Sequence, residues 1–230
     1  MSLDISHNLA SIQQSLPADV LLVAVTKTKP LADLQAAYDA GQREMAENKV
    51  QEILEKAPQL PSDIHWHLIG HLQTNKVKQV LPFVHLIQSV DSLKLLLAIE
   101  KHAEKIGKPI NCLLQVFIAQ EETKFGLDPA EVKSLLNSPE RKNCKWVNII
   151  GLMGMASNTS NQEQVKAEFQ SLKQLFDQTK AAEPQFEWLS MGMSGDYELA
   201  VAAGSNLVRI GSKIFGPRIV KNPSSAEKIK

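Results

Sequence analysis

The sequence predicts a single α/β domain folded as a (β/α)8 TIM barrel, in which eight parallel strands alternate with helices and close on themselves. Eight short apolar runs alternate along the 230 residues with longer segments of helical periodicity. Several runs are apolar without interruption, which is typical of parallel strands buried on both faces. The length suits one barrel, and no linker, repeat or low-complexity block divides the chain.

The first half of the chain supplies four predicted strands. A helix over 4–15 precedes the first strand, Val20 to Val25, and Pro30 opens a helix from Leu31 that ends at Gly41. The next strands are predicted at 42–46, 64–69 and 84–88. Between them, a helix carries Val50, Ile53 and Leu54, and 71–76 forms a loop and helix start.

The second half repeats the alternation. A helix capped at Asp91 or Ser92 ends at Gly107, and Asp128 with Pro129 opens another. Strands are predicted at 110–118, 146–152, 186–190 and 207–210, and further helices at 165–176, 196–203 and 212–215. Residues 1–220 are thus expected to form the domain, and 221–230 an exposed tail.

Composition favours a small ligand over a macromolecular partner. Lys plus Arg and Asp plus Glu both number 25, so no net field attracts nucleic acid or an anionic membrane surface. Two cysteines suggest no disulfide framework, which is consistent with the cytoplasm. No signal peptide or membrane-spanning segment is evident.

Two glycine-containing loops are candidates for a phosphate site. Function in this fold lies at the C-terminal ends of the strands, where the loops after strands seven and eight often bind phosphate. Ser190 to Gly195 and Arg209 to Ser212 hold these positions. Ser194, Gly211 and Ser212 are the predicted phosphate contacts, because glycines let backbone amides approach an anion. The alternative is that these glycines only form turns and the serines only cap helices.

Lys27 follows the first strand directly. A lysine walled by apolar strand residues is partly desolvated, which favours the neutral amine that attacks an aldehyde. The commoner fate of a lysine is to be solvated at the surface. A lysine and a phosphate site on one face indicate a phosphorylated aldehyde, either a sugar phosphate in an aldolase or the cofactor pyridoxal 5′-phosphate (PLP).

His65, His67 and His71 could be interpreted as a metal cluster. His65 and His67 share a strand face, but Trp66 sits between them, no carboxylate is expected to neighbour them as a second shell, and no later histidine pair completes a site. No metal site is therefore expected. Cys112, inside an apolar strand, is expected to be inert.

Several segments together resemble the pyridoxal phosphate homeostasis proteins, the YggS and PROSC group. The resemblance spans nearly the whole chain in order, and it rests on these segments: 25–30 (VTKTKP), Glu47-Asn48, 66–73 (WHLIGHLQ) with Asn75-Lys76, 124–126 (KFG), 151–153 (GLM), 189–194 (LSMGMS) and 208–216 (VRIGSKIFG). The chain departs from the usual pattern at Ala46, where glycine is common, and at Lys49, where tyrosine is common.

This resemblance implies a barrel like the N-terminal domain of alanine racemase, the fold type III of PLP proteins. It implies that PLP is bound as an aldimine to Lys27 rather than to Lys29. Ser194, Gly211 and Ser212 would hold the phosphate, and Arg209 would lie near the pyridine nitrogen. Asn48, His67 and Met191 are carried over to the pocket wall.

The expected function is a non-enzymatic PLP binder that contributes to vitamin B6 homeostasis, with no catalytic residue assigned and PLP-dependent enzymes as recipients. Racemases of this fold add a second domain that closes the site and supplies a second base, whereas this chain ends soon after strand eight, and an open site does not exclude water. The alternatives are a PLP-dependent racemase or lyase and a Schiff-base aldolase. A cytoplasmic monomer is expected.

Overall fold

The computed structural model describes residues 4–120 and 125–217, and its centre is a closed barrel of eight parallel strands. Each strand pairs with the next along the chain, and β8 closes the barrel against β1. The strands are β1 Leu21–Val25, β2 Glu44–Glu47, β3 His65–Leu68, β4 Val84–Val90, β5 Ile110–Val116, β6 Val147–Gly154, β7 Trp188–Ser190 and β8 Leu207–Ile210. The predicted TIM barrel is confirmed.

Helices surround the barrel and join successive strands. Asp128 caps α6 with a reciprocal bond to Glu131, and Gly107 ends α5 in the left-handed conformation at φ 63°. The helices are α1 Ile5–Ser15, α2 Leu31–Asp39, α3 Val50–Lys56, α4 Val77–Val80, α5 Leu93–Ile106, α6 Pro129–Asn137, α7 Pro139–Lys142, α8 Gln162–Ala182, α9 Tyr197–Ala202 and α10 Ser212–Phe215. Single 3₁₀ turns occupy Ala57–Gln59 and Thr74–Lys76.

Strand ends differ from the predictions where loops take over the hydrogen bonds. β2 begins at Glu44 rather than 42, because the Gln42 side chain donates to the carbonyls of Leu22 and Glu44 and turns the chain there. β5 ends at Val116, since the amide of Phe117 donates to Leu127 in the following loop. The short helix α7 is not predicted by the apolar periodicity.

Alternation along the strands decides which side chains enter the barrel. One buried cluster fills its interior and consists of Val23, Val25, Ala46, Leu86, Leu113, Met153 and Leu207. A larger cluster packs between the strands and the helices. Since successive strand side chains point to opposite faces, the positions two residues beyond interior ones open at the C-terminal mouth. These include Lys27, Asn48, Gln115, Met155 and Arg209.

Some expectations fall on residues outside those described, namely Lys124 and the tail 221–230, so the 1–220 boundary stays a prediction. Cys112 is fully buried, and burial raises the pKa of its thiol, which fits an inert cysteine. No helix within the described ranges is long and apolar enough to span a bilayer.

Candidate functional site

A cavity of about 530 Å³ opens at the C-terminal mouth of the barrel. Strand ends and the loops after them contribute its walls, as the sequence predicts for this fold. Its lining includes Lys27, Asn48, Gly70, Ser194, Arg209, Gly211 and Ser212. Six of the eight predicted site residues therefore meet at one cavity.

The two lysines of the segment after β1 have different surroundings. Lys27 lies two residues beyond the interior residue Val25, lines the cavity, and donates from Nζ to Oδ1 of Asn48 at 3.4 Å. The Lys29 ammonium donates to the carbonyl oxygens of Phe215, Gly216 and Pro217 at the end of α10. Lys29 thus holds the end of α10 against the loop after β1.

A buried carboxylate lies under the segment that carries Lys27. Glu47, at the end of β2, accepts from the Thr26 hydroxyl at 2.6 Å and from Lys56 Nζ at 2.8 Å through Oε1. Its Oε2 is buried and makes no hydrogen bond with the described residues. Burial raises the pKa of Glu47 to about 7, although the Lys56 and Thr26 hydrogen bonds favour the ionised form. Glu47 therefore changes charge near neutral pH.

The loops after β7 and β8 contact each other at the cavity wall. The amide of Gly211 donates to Oγ of Ser194 at 3.2 Å. Gly192 has φ +95°, a conformation that favours glycine, and its carbonyl oxygen accepts from the amide of Arg209 at 3.0 Å. The Ser194 hydroxyl, the Gly211 amide and Ser212 thus form one polar corner, where the sequence predicts a phosphate.

Arg209 brings a buried positive charge to the cavity. Arg209 is 3% exposed, and its guanidinium donates to the carbonyl oxygen of Gly154 at 3.0 Å and to the hydroxyl of Ser190. Burial lowers the pKa of Arg209 to about 10, against the attraction of Asp196. It remains protonated at neutral pH, because that value lies well above 7.

A chain of hydrogen bonds runs from Arg209 down the barrel interior. Oγ of Ser190 donates to Oε1 of Gln88 at 2.6 Å, and Nε2 of Gln88 pairs with Nδ1 of His67 at 2.8 Å. Nε2 of His67 lies 2.7 Å from Oε2 of Glu44. Because the Gln88 amide nitrogen can only donate, Nδ1 of His67 accepts and Nε2 carries the ring proton.

The structure corrects one premise about the histidines. Glu44 contacts both His65, at 2.6 Å, and His67, so a carboxylate does neighbour them. It comes from the adjacent strand, where Glu44 pairs in register with His65, and sequence distance conceals it. No group of three or more His, Cys, Asp or Glu side chains within 4–120 and 125–217 is placed to hold a metal ion.

Two predicted pocket residues lie behind the cavity wall. His67 is 1% exposed and sits one interior layer below the lining residue Ile69. Met191 follows the inward Ser190, so it points outward and packs in the cluster between strands and helices. The departures from the family pattern also avoid the cavity: Ala46 packs in the barrel interior, and Lys49 is an exposed residue before α3.

Another side of the cavity is lined by residues that are not among the predicted site residues. Gln115 and Met155 continue the inward positions of β5 and β6, and Nε2 of Gln115 donates to the carbonyl oxygen of Phe125 at 2.7 Å. The Phe125 ring stacks on His71, with centroids 4.5 Å apart. Strand alternation could have identified Gln115 and Met155 as lining residues. The stacking of Phe125 on His71 joins residues from separate loops, so no local pattern predicts it.

The chain is similar to known proteins over most of its length. The family model described as "Alanine racemase, N-terminal domain" matches residues 3–218. A Helicobacter pylori (strain ATCC 700392 / 26695) protein named pyridoxal phosphate homeostasis protein is 42% identical over 198 residues, which cover 85% of this chain and 87% of that protein.

Two solved structures extend the comparison. PipY of Synechococcus elongatus PCC7942, solved with PLP bound, is 36% identical with a TM-score of 0.85, covering 92% of this chain and 100% of PipY. An alanine racemase of Clostridium difficile 630 is 14% identical with a TM-score of 0.75, covering 95% of this chain and 57% of the racemase, and shares the fold. The chain therefore belongs to the alanine racemase N-terminal domain family and, within it, to the pyridoxal phosphate homeostasis proteins.

Proposed function

We propose that this protein binds PLP covalently through Lys27 and holds it as part of cellular vitamin B6 homeostasis, without catalytic turnover. The observation that carries the proposal is the meeting of three groups at one cavity. The Lys27 amine, the corner of Ser194, Gly211 and Ser212, and the buried Arg209 guanidinium all line it. These groups match an aldehyde, a phosphate and a pyridine ring nitrogen, respectively.

The polar corner is suited to a phosphate. Hydroxyl and backbone amide donors are the groups that phosphate oxygens use in proteins, and Gly211 leaves room for close approach. A Cβ at Gly211 would lie 3.1 Å from the carbonyl oxygen of Val25, tighter than an ordinary contact. We assign the phosphate to these three residues, and Asn48 lies beside Lys27.

Arg209 decides which chemistry the bound cofactor favours. PLP supplies an electron sink whose strength depends on protonation of its ring nitrogen. A guanidinium that stays charged at neutral pH disfavours that protonation, because a second positive charge would lie beside it. His67 and Met191 act from behind the wall, His67 through the hydrogen-bond chain to Arg209 and Met191 through packing.

The homeostasis role is supported by the relatives. Proteins 36 to 42% identical to this chain carry the name pyridoxal phosphate homeostasis protein, and PipY was solved with PLP. We place the protein in the cytoplasm as a monomer, with PLP-dependent enzymes as recipients of the cofactor.

An absorption spectrum tests the proposal. Purified protein mixed with PLP should show a visible band that borohydride bleaches, and peptide mapping should then place the reduced cofactor on Lys27. Lys27→Ala should lose the covalent product and keep weaker binding through the phosphate, whereas Lys29→Ala should still be labelled at Lys27. Labelling of other lysines with residue 27 unmodified would contradict the assignment.

The same preparation separates the alternatives. A racemase or lyase would turn over a free amino acid, and Lys27→Ala would abolish that turnover. An aldolase would give a colourless protein whose lysine is trapped by a sugar phosphate and borohydride. Ser194→Ala and Arg209→Ala should each weaken PLP affinity, and unchanged affinity in both would indicate a scaffold that does not use this corner.

A further inference from the structure

Lys27 occupies one corner of a β-turn that has an unfavourable backbone. The amide of Lys29 donates to the carbonyl oxygen of Thr26 at 3.1 Å, which makes Lys27 and Thr28 the central residues of the turn. Thr28 has φ +64° and is the one non-glycine residue with positive φ within 4–120 and 125–217. This turn position usually takes glycine, and a β-branched residue there is strained.

Two side chains from α3 bind the turn backbone on either side of Lys27. Oε2 of Glu52 accepts from the amide of Thr28 at 2.7 Å. Nζ of Lys56 donates to the carbonyl oxygen of Thr26 at 3.1 Å. The two side chains are four residues apart on the helix and pair with each other at 2.9 Å. A closed path of contacts therefore runs from Thr26 through Lys56 and Glu52 to Thr28, on either side of Lys27.

Charge and burial strengthen this arrangement. Lys56 is 6% exposed and also contacts the buried Glu47 at 2.8 Å. Burial favours the neutral form of Glu52, but the Thr28 amide and Lys56 outweigh it and lower the pKa of Glu52. Glu52 thus stays ionised and is the stronger acceptor for the Thr28 amide.

We propose that Glu52 and Lys56 are positioning residues that fix the Lys27 turn and so aim its amine into the cavity. The inference rests on the proposed function, in which the Lys27 nitrogen bonds to the aldehyde carbon of PLP and the carbonyl oxygen leaves as water. Without Glu52, the Thr28 amide loses its acceptor and the turn relaxes from its strained conformation. The amine then samples orientations away from the aldehyde, while the phosphate corner, built from the loops after β7 and β8, is untouched.

The test compares a ligand that reacts with one that does not. PLP reports covalent attachment through the rate at which its visible band forms, and pyridoxamine 5′-phosphate, which has the ring and phosphate but no aldehyde, reports non-covalent affinity. Glu52→Ala should slow band formation about tenfold or more, since misplacement of a reacting group by about 1 Å costs this much. Its affinity for pyridoxamine 5′-phosphate should stay within about twofold of the unmodified protein.

Three further variants make the result specific. Glu52→Gln keeps an oxygen acceptor for the Thr28 amide and should recover most of the rate. Glu55→Ala removes an exposed carboxylate from the same helix and should leave both ligands unaffected. Lys56→Met should also slow attachment, and circular dichroism checks that each variant is folded.

The outcomes distinguish the two proposals. Attachment at the unmodified rate in Glu52→Ala, or equal losses with both ligands, would overturn the positioning role and leave the proposed function standing. Failure of the unmodified protein to form the band, or to be trapped by borohydride at Lys27, would overturn the proposed function and the positioning role with it.

Discussion

The backbone of Asn48 lies directly against Gly70, with no room between them for a side chain. A Cβ at Gly70 would meet the Asn48 carbonyl oxygen at 2.1 Å and its Cα at 2.9 Å. Asn48 in turn is the hydrogen-bond partner of Lys27. The loop after β3 therefore fixes the position of Asn48, whose side-chain oxygen accepts the hydrogen bond from Lys27.

Gly70→Ala should displace Asn48 and lower the free energy of unfolding by about 1 to 3 kcal/mol, the usual cost of overpacking. Urea denaturation measures this change. Gly195→Ala is the matched control, since it also lines the cavity but its Cβ would meet nothing within 4 Å. Equal unfolding free energies for the two variants would show that the Gly70 contact relaxes without cost.

Lys29→Met should loosen the end of α10. The variant removes the ammonium that binds the carbonyl oxygens of Phe215, Gly216 and Pro217, and hydrogen bonds to a charged donor contribute about 1.5 to 3 kcal/mol. We expect a lower denaturant midpoint and faster amide exchange across Ser212–Phe215. Lys94→Met, at an exposed position of α5, should change neither quantity. Unchanged exchange in Lys29→Met would exclude this role.

Glu47→Gln should change how stability depends on pH. The pKa of Glu47 is about 7 in the folded protein and about 4.5 without burial. Between these values the folded state holds a proton that the unfolded state releases, so this residue makes stability fall as pH rises. Glu47→Gln has no carboxyl group to titrate, so its stability does not fall for this reason. The free energy of unfolding of the variant minus that of the unmodified protein should therefore increase by up to about 3 kcal/mol between pH 5 and pH 8.

Guanidinium denaturation of both proteins at the two pH values measures this difference, and other titrating groups cancel because they are common to both. A stability difference that stays constant with pH would mean that Glu47 is already ionised at pH 5.

Gln88→Leu should break the hydrogen-bond chain under Arg209. It leaves the Ser190 hydroxyl and Nδ1 of His67 without their partner in the barrel interior, and each unsatisfied buried group costs about 1 to 3 kcal/mol. The unfolding free energy should fall by roughly 2 to 6 kcal/mol, measured by urea denaturation. Gln79→Leu, exposed on α4, is the control and should stay within about 0.5 kcal/mol. A small effect in Gln88→Leu would show that the chain is not a coupled unit.

Much of the fold is predictable because its signals are local. Continuous apolar runs and helical periodicity fix which segments become strands and helices, and they give the eight-strand order without reference to distant residues. The period of two along β1 and β8 also carries Lys27 and Arg209 to the barrel mouth once the interior positions are known. Where β2 begins later than predicted, the Gln42 side chain takes backbone acceptors, and where β5 ends earlier, the loop at Leu127 does so.

The barrel and the face that bears the cavity are predictable from the sequence, as are Lys27, Ser194, Arg209, Gly211 and Ser212 as residues that line this cavity. Three features emerge only in the folded chain: Lys29 binds the end of α10, Met191 points away from the cavity, and Glu44 contacts the histidines. Folding also brings Glu52 and Lys56 to the turn that carries Lys27. Barrel closure and helix packing bring together groups from separate strands and loops. The periodicity within one segment contains no information about which groups another segment will supply.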